Sequence, residues 1–265
     1  MGLKPSSHLL CLIKSTMNDP PMSNSHPFLD ANTARQLRQK YGSPAYVYDL
    51  RTILKQVEKV KAFPHPHDLT VRYAMKSAPN AALLQILHKA GLSIDASSEH
   101  EAWRAIRAGI PPHQISLSSQ EYPHEPRSLF EQGVRFNACS LHQLASYGKE
   151  FNGSKVGLRF NPGLGSGGTA KTNVGGPSSS FGIWHETISE VKRILDLYDL
   201  NPIRIHTHIG SGSDPAVWQH TAQISLDIVR QFPTVHTLNL GGGYKVGRKP
   251  DEPITDLKKI GAPVL

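Results

Sequence analysis

The sequence predicts an α/β fold in which a parallel sheet curls into a TIM-like (β/α)8 barrel. Two observations predict it. From Thr70 onward, short apolar runs alternate one for one with helical stretches, and such alternation requires right-handed crossovers between parallel strands. Polar and glycine-rich groups then fall just after the strand ends, where barrel enzymes assemble their sites. A doubly wound sheet shares the first feature, and the second favours the barrel. At 265 residues the chain is long enough for one such domain and its core.

Taken in order, residues 1–25 are rich in Ser, Pro and Asn without a sustained period. They read as a tail ahead of a barrel domain over 26–265. A secretory signal needs an apolar stretch of about 7 to 15 residues. Leu9 to Ile13 is shorter, and Lys14 and Asp19 follow it. Met17 and Met22 are alternative starts. From Asp30 the pattern becomes regular: a helix through Leu37, a Gly42-Ser43-Pro44 turn, the β-rich run Ala45 to Asp49, and a helix from Leu50 to Lys61. Beyond Pro64 and Pro66 the apolar runs place strands at Thr70 to Met75, Leu92 to Ala96, Gln114 to Leu117, Arg135 to Ala138, Lys155 to Phe160, Arg204 to His208 and Thr237 to Leu240. Helices are expected between them at 81–90, 99–108, 126–132, 141–147, 186–197 and 218–231. Seven strands do not close an eight-stranded barrel, so the expectation is an incomplete one.

Composition narrows the function. The longest apolar runs fall far short of the roughly 20 residues of a membrane span, so no membrane role is expected. Cys11 and Cys139 stand far apart and match no metal spacing, which points to a reducing, cytoplasmic setting and to no metal site. The net charge of +8 comes from scattered lysines and arginines rather than a stripe. That argues against nucleic acid and suits small anionic ligands.

Five features carry possible chemistry. Lys76 ends the first barrel strand in YAMKSAPN, where desolvation would favour the neutral amine needed for a Schiff base; a solvent-facing lysine is the plainer reading. His206 and His208, in IHTHIGSGS, share one strand face and precede Gly210, Ser211 and Gly212. Metal ligation would need further ligands, and only Asp214 is near, so packed or hydrogen-bonded imidazoles are favoured. LGGGY ends the last strand in Gly241, Gly242 and Gly243, whose amides could cradle a phosphate or simply make a turn. The Gly/Ser-rich stretch 161–182 is long enough to be a lid or a linker. Arg159 stands at a strand end just before it, facing either a ligand or an internal salt bridge with Glu101 or Asp95.

Taken together, PAYVYD, YAMKSAPN, DASSEHE, LRFNPG, SSSFGI, HTHIGSG and LNLGGGY occur in the order and approximate spacing of one family. From about Phe28 to Leu265 the chain resembles the amino-acid decarboxylases of the alanine-racemase-like barrel group, diaminopimelate decarboxylase in particular, which use pyridoxal 5′-phosphate (PLP). The resemblance implies that Lys76 carries PLP and that Asp95 and Glu101 belong to the polar network around it. It also implies that Arg159 lies near the cofactor, that His208 stacks on the pyridine ring, and that Ser211 with the amides of Gly241, Gly242 and Gly243 holds the phosphate. The implied activity is decarboxylation of meso-diaminopimelate to L-lysine, by a homodimer in the full-length family, with the given residues expected to lack part of the active site. Another basic amino acid (ornithine, lysine or a D-isomer) and a non-catalytic PLP-binding barrel are the alternatives. Three departures stand out. Ser180 occupies the position of a usual basic residue before Phe-Gly. The family's acidic partner of the pyridinium nitrogen, on an eighth strand, and its C-terminal β domain have no counterpart in these residues. The Ala45 to Asp49 run, which would add to that β domain, is accordingly expected to be unpaired.

Overall fold

The computed structural model describes residues 11–13, 28–166, 175–247, 252, 254–262 and 265. These divide into two compact units, 1–62 and 63–265. In the first unit, β1 (Cys11–Ile13) pairs in parallel with β2 (Val47–Asp49) in the register Cys11↔Val47. The run expected to be unpaired therefore has a partner, because the short apolar segment Cys11–Ile13, read as tail, supplies a ladder. Met17, Met22 and the rest of 1–25 lie outside the described residues. Helices α1 (Ala31–Tyr41) and α2 (Leu50–Lys61) begin at Asp30 and Asp49, whose carboxylates accept the first free helix amides.

The second unit is a curled parallel sheet. Its strands are β3 (Arg72–Ala74), β4 (Ser93–Ala96), β5 (Ile115–Leu117), β6 (Arg135–Ala138), β7 (Lys155–Asn161), the two-residue β8 (Ile183–Trp184), β9 (Asn201–Thr207) and β10 (Thr237–Asn239). Seven run in the order β10-β9-β7-β6-β5-β4-β3, and β8 pairs with the end of β7. All seven expected strands are present. The sequence missed β8, since two apolar residues inside a Gly/Ser-rich stretch carry no period. It also began β9 too late: the long β7 offers ladder positions as far back as Asn201, and Pro202 is accommodated near the strand's start.

The crossover helices are α3 (Ala81–Lys89), α4 (Glu99–Arg107), α5 (Pro126–Phe130), α6 (Leu141–Glu150), α7 (Ile188–Leu197) and α8 (Pro215–Val229), followed by α9 (Leu257–Gly261). Two of them start with reciprocal caps that the Ser-x-x-Glu/Gln pattern encodes. Ser98 accepts from the Glu101 amide while Glu101 reaches back to the Ser97 amide, and Ser140, Gln143 and Cys139 repeat the arrangement on α6.

Alternation along the strands sorts the two faces of the sheet. Ile94, Ala96, Ile115 and Leu117 pack with Leu84 of α3 and Ala102 and Ala105 of α4. Phe136, Leu158, Phe160 and Ile205 pack with Leu144 of α6 and Val191 and Leu195 of α7. Leu84, Ile94, Leu117 and Leu158 are fully buried, and each such side chain contributes roughly 2 kcal/mol. The intervening positions, among them Asp95, Ser116, Asn137, Arg159 and His206, line the inside of the curl. Its curvature is direct: the Ser118 hydroxyl, just past β5, lies 3.3 Å from His206 Nδ1 on β9, although β6 and β7 stand between those strands.

Candidate active site

The inner face is polar because its residues satisfy one another. Asn137 donates from Nδ2 to both Ser116 Oγ and Ser118 Oγ at 2.9 Å, and its Oδ1 accepts from Arg204 Nε at 3.3 Å. Gly157 leaves room for this: a Cβ there would stand 1.9 Å from Asn137 Oδ1. The Ser118 hydroxyl, which accepts from Asn137, also hydrogen-bonds with His206 Nδ1 at 3.3 Å. Burial first, then the Arg159 charge, push His206 well below the usual histidine range, so it is neutral. His208, further along the same face, is held down to about 4 by burial and then by Arg159 and Lys76. Its Nδ1 accepts from the Gly242 amide at 3.4 Å.

Arg159 is buried on β7, with its guanidinium 5.3 Å from the Phe181 ring. Among the described residues no carboxylate lies within salt-bridge distance, and its Nε is sealed without a partner. The internal salt bridge considered for it is therefore not made. Asp95 Oδ1 on β4 is likewise buried and unpartnered. Burial raises Asp95 to about 6 against the pull of Arg72, Arg159 and Lys76. Cys139 is pushed up to about 11 by burial and stays a thiol. Glu101 caps the start of α4 with its carboxylate, and its charge adds to the rise at Asp95. Lys76 differs from expectation in one respect. The chain leaves the ladder at Ala74 in a short 3-10 turn over Met75–Ser77, pinned by Ser77 Oγ donating to Ala74 O at 2.9 Å, so Lys76 is exposed rather than desolvated.

The turn after β10 is shaped for close approach. Gly241 and Gly243 have φ of +73° and +91°, and a Cβ on Gly243 would stand 2.0 Å from Gly210 O. Nothing lies within 4 Å of a Cβ on Gly242. The Gly241 amide donates to Asn239 Oδ1, whereas the Gly243 amide has no acceptor among the described residues. Ser211 is partly exposed in the adjoining turn, its amide donating to Ser166 O at 3.1 Å. Ser180 accepts from Gln120 Nε2 at 3.0 Å. Of the stretch 161–182, residues 167–174 lie outside the described residues.

Residues 50–264 match the model of the pyridoxal-binding domain of pyridoxal-dependent decarboxylases. The chain belongs to this family. Its curated relatives include the diaminopimelate decarboxylase of Streptomyces coelicolor, 31% identical over 86% of this chain and 52% of the relative. That of Escherichia coli K12 is also 31% identical, over 86% and 54%. The chain thus spans about half the length of the curated relatives it matches. A crystal structure of a diaminopimelate decarboxylase superposes with a TM-score of 0.80 at 29% identity, covering 88% of this chain and 56% of the other. The Helicobacter pylori enzyme complexed with L-lysine shares the fold, with a TM-score of 0.76 at 22% identity over 87% and 61%.

The cofactor of this pyridoxal-binding domain is PLP, and the residues present fit it. The Gly243 amide has no acceptor among the described residues, the surface over Gly242 is clear of side chains, and the Arg159 charge acts on His208, whose Nδ1 meets the Gly242 amide. Ser118, Asn137 and Gly157 escaped the sequence reading, although polar or small residues at every second strand position were a signal for a lined interior. Among the described residues no helix is long and apolar enough to cross a membrane, and no group of three or more His, Cys, Asp or Glu side chains is placed to hold a metal.

Asp95 makes stability depend on pH. Its folded value of about 6 exceeds the ordinary 3.8, so the folded protein binds that proton more tightly. The resulting stabilisation is complete below about pH 4 and is lost as pH rises through about 6. Between about pH 4 and pH 7 the protein is expected to lose ~3 kcal/mol relative to Asp95→Asn, read from urea unfolding at each pH. Parallel curves for the two proteins would contradict the burial of this carboxyl.

Proposed function

We propose that this chain forms the cofactor-binding part of an enzyme that decarboxylates meso-diaminopimelate to L-lysine. The observation that carries the reading is that Asp95 and His208 both feel the charges of Arg159 and the exposed Lys76, beside the turn of Gly241 to Gly243. The 31% identity to curated diaminopimelate decarboxylases supports the choice of substrate. Bound PLP supplies the sink for the electron pair left when carbon dioxide departs.

In this reading Lys76 is the residue whose amine would hold PLP at its aldehyde carbon. Lys76 is exposed, and its charge acts on Asp95 and His208. Gly243 presents its amide, and Ser211 its hydroxyl, to the phosphate. The neutral His208 offers a flat, uncharged ring that adds no repulsion beside Lys76 and Arg159. Arg159 supplies a fixed positive charge at the end of β7. Asp95 takes up or releases a proton near neutrality, balancing the cations around it. The reading carries a homodimeric assembly, tested by light scattering, and a cytoplasmic location.

The test is carbon dioxide release from meso-diaminopimelate, ornithine, lysine and the D-isomers by the purified, PLP-supplemented protein extended with a family-like C-terminal domain, beside the 265 residues alone, which are expected to be nearly silent. Diaminopimelate is expected to be preferred at least a hundredfold in kcat/KM. A preference for ornithine or lysine would replace this reading with that of another basic amino-acid decarboxylase on the same scaffold.

A further inference from the structure

The inside of the curl carries a second concentration of positive charge, toward the strand beginnings. Arg72 opens β3, Arg135 opens β6, and Arg204 stands four residues before His208 at the end of β9. Arg204 reaches back over Gly157 of β7, donating from Nη2 to Phe136 O at 2.9 Å and from Nε to Asn137 Oδ1. Arg72 donates from Nη1 to Gln114 O at 3.2 Å. Arg135 is exposed and bonds to no described residue. Among the described residues, no Asp or Glu oxygen lies within 4.0 Å of any of the three.

The curl makes these charges neighbours even though two strands separate β3 from β6 and one separates β6 from β9. Burial first, then the Arg135 charge, hold both Arg72 and Arg204 down to about 10, and Arg72 acts on Arg204 as well. Asp95 is the carboxylate that offsets this at Arg72. Neither Arg72 nor Arg204 has a sealed nitrogen lacking a partner, so their unused N–H groups are accessible to solvent and to a small ion.

Arg72 and Arg204 are partly withdrawn from water beside the exposed Arg135, and like charges so placed without a carboxylate in contact are unfavourable. Guanidinium forks match the oxygens of phosphate and carboxylate two at a time. We propose that Arg72, Arg135 and Arg204 form a second anion site, separate from the glycine turn, that takes a free multivalent oxyanion of the phosphate class. Such an anion ties β3, the end strand of the described sheet, to β6 and β9 and so holds the curl.

Thermal unfolding of the PLP-saturated protein tests this, with inorganic phosphate titrated against chloride at equal ionic strength. Tm is expected to rise saturably with phosphate. In Arg135→Gln the half-saturating phosphate concentration is expected to rise at least tenfold, while Tm without phosphate rises because repulsion is relieved. The exposure of Arg135 lets that variant keep its fold. Three results would each overturn the site: an equal response to chloride, a phosphate response unchanged in Arg135→Gln, or one that vanishes once PLP fills the glycine turn. If PLP does not bind, the comparison of the two proteins decides alone, so failure of the cofactor assignment is distinguishable from failure of this site.

Discussion

Lys76→Ala is expected to leave no pyridoxyl group on the protein after addition of PLP and reduction with borohydride, and to lower decarboxylation by the extended protein at least a thousandfold. The unsubstituted protein should yield one labelled peptide containing Lys76. The argument is positional. Lys76 follows β3 by two residues, and its charge acts on Asp95, His206 and His208, so the amine stands at the mouth of the polar interior. Alanine removes the amine that would hold PLP at its aldehyde carbon. A thousandfold loss corresponds to about 4 kcal/mol of transition-state stabilisation. Label on a different lysine, or unchanged turnover by Lys76→Ala, would show that another amine does this work.

Gly243→Ala is expected to weaken PLP binding at least a hundredfold, and Gly242→Ala to change it less than threefold. Two costs act at Gly243. A side chain at φ of +91° is strained by roughly 1–2 kcal/mol. Its Cβ would also stand 2.0 Å from the carbonyl oxygen of Gly210 and 3.1 Å from Ser211 Cα, both main-chain atoms that cannot swing aside. The turn after β10 must then separate from the turn after β9, dispersing the amides that would meet a phosphate. At Gly242 a methyl group meets open space. Fluorescence titration with PLP, alongside circular dichroism to confirm the helices, compares the two. Equal losses in both variants, or none in either, would move the phosphate elsewhere.

How far the site could be read in advance differs from residue to residue. Lys76, Arg159, His208 and the three glycines were legible because each stands at the end of an apolar run, and a strand end is recognisable from pattern alone. Ser116, Ser118 and Asn137 were not. A serine or asparagine inside a strand of three or four residues reads the same whether it faces water or a closed interior. Glu101 carries a part that the family pattern did not indicate: its carboxylate caps the start of α4 while its charge acts on Asp95.

By itself the sequence determined the order of the elements, the parallel sense of the sheet, and the apolar positions that meet the helices. Those properties are local, set by period-two alternation, by helical spacing and by turn residues. The tertiary structure alone decided the approach of Ser118 to His206, the unsatisfied Nε of Arg159, and the meeting of Arg72, Arg135 and Arg204. Each depends on how tightly the sheet curls, which sets distances between side chains some 60 to 130 positions apart in the chain. Charge and hydrogen bonding act through space over a few ångströms, and only the folded backbone determines which residues come that close.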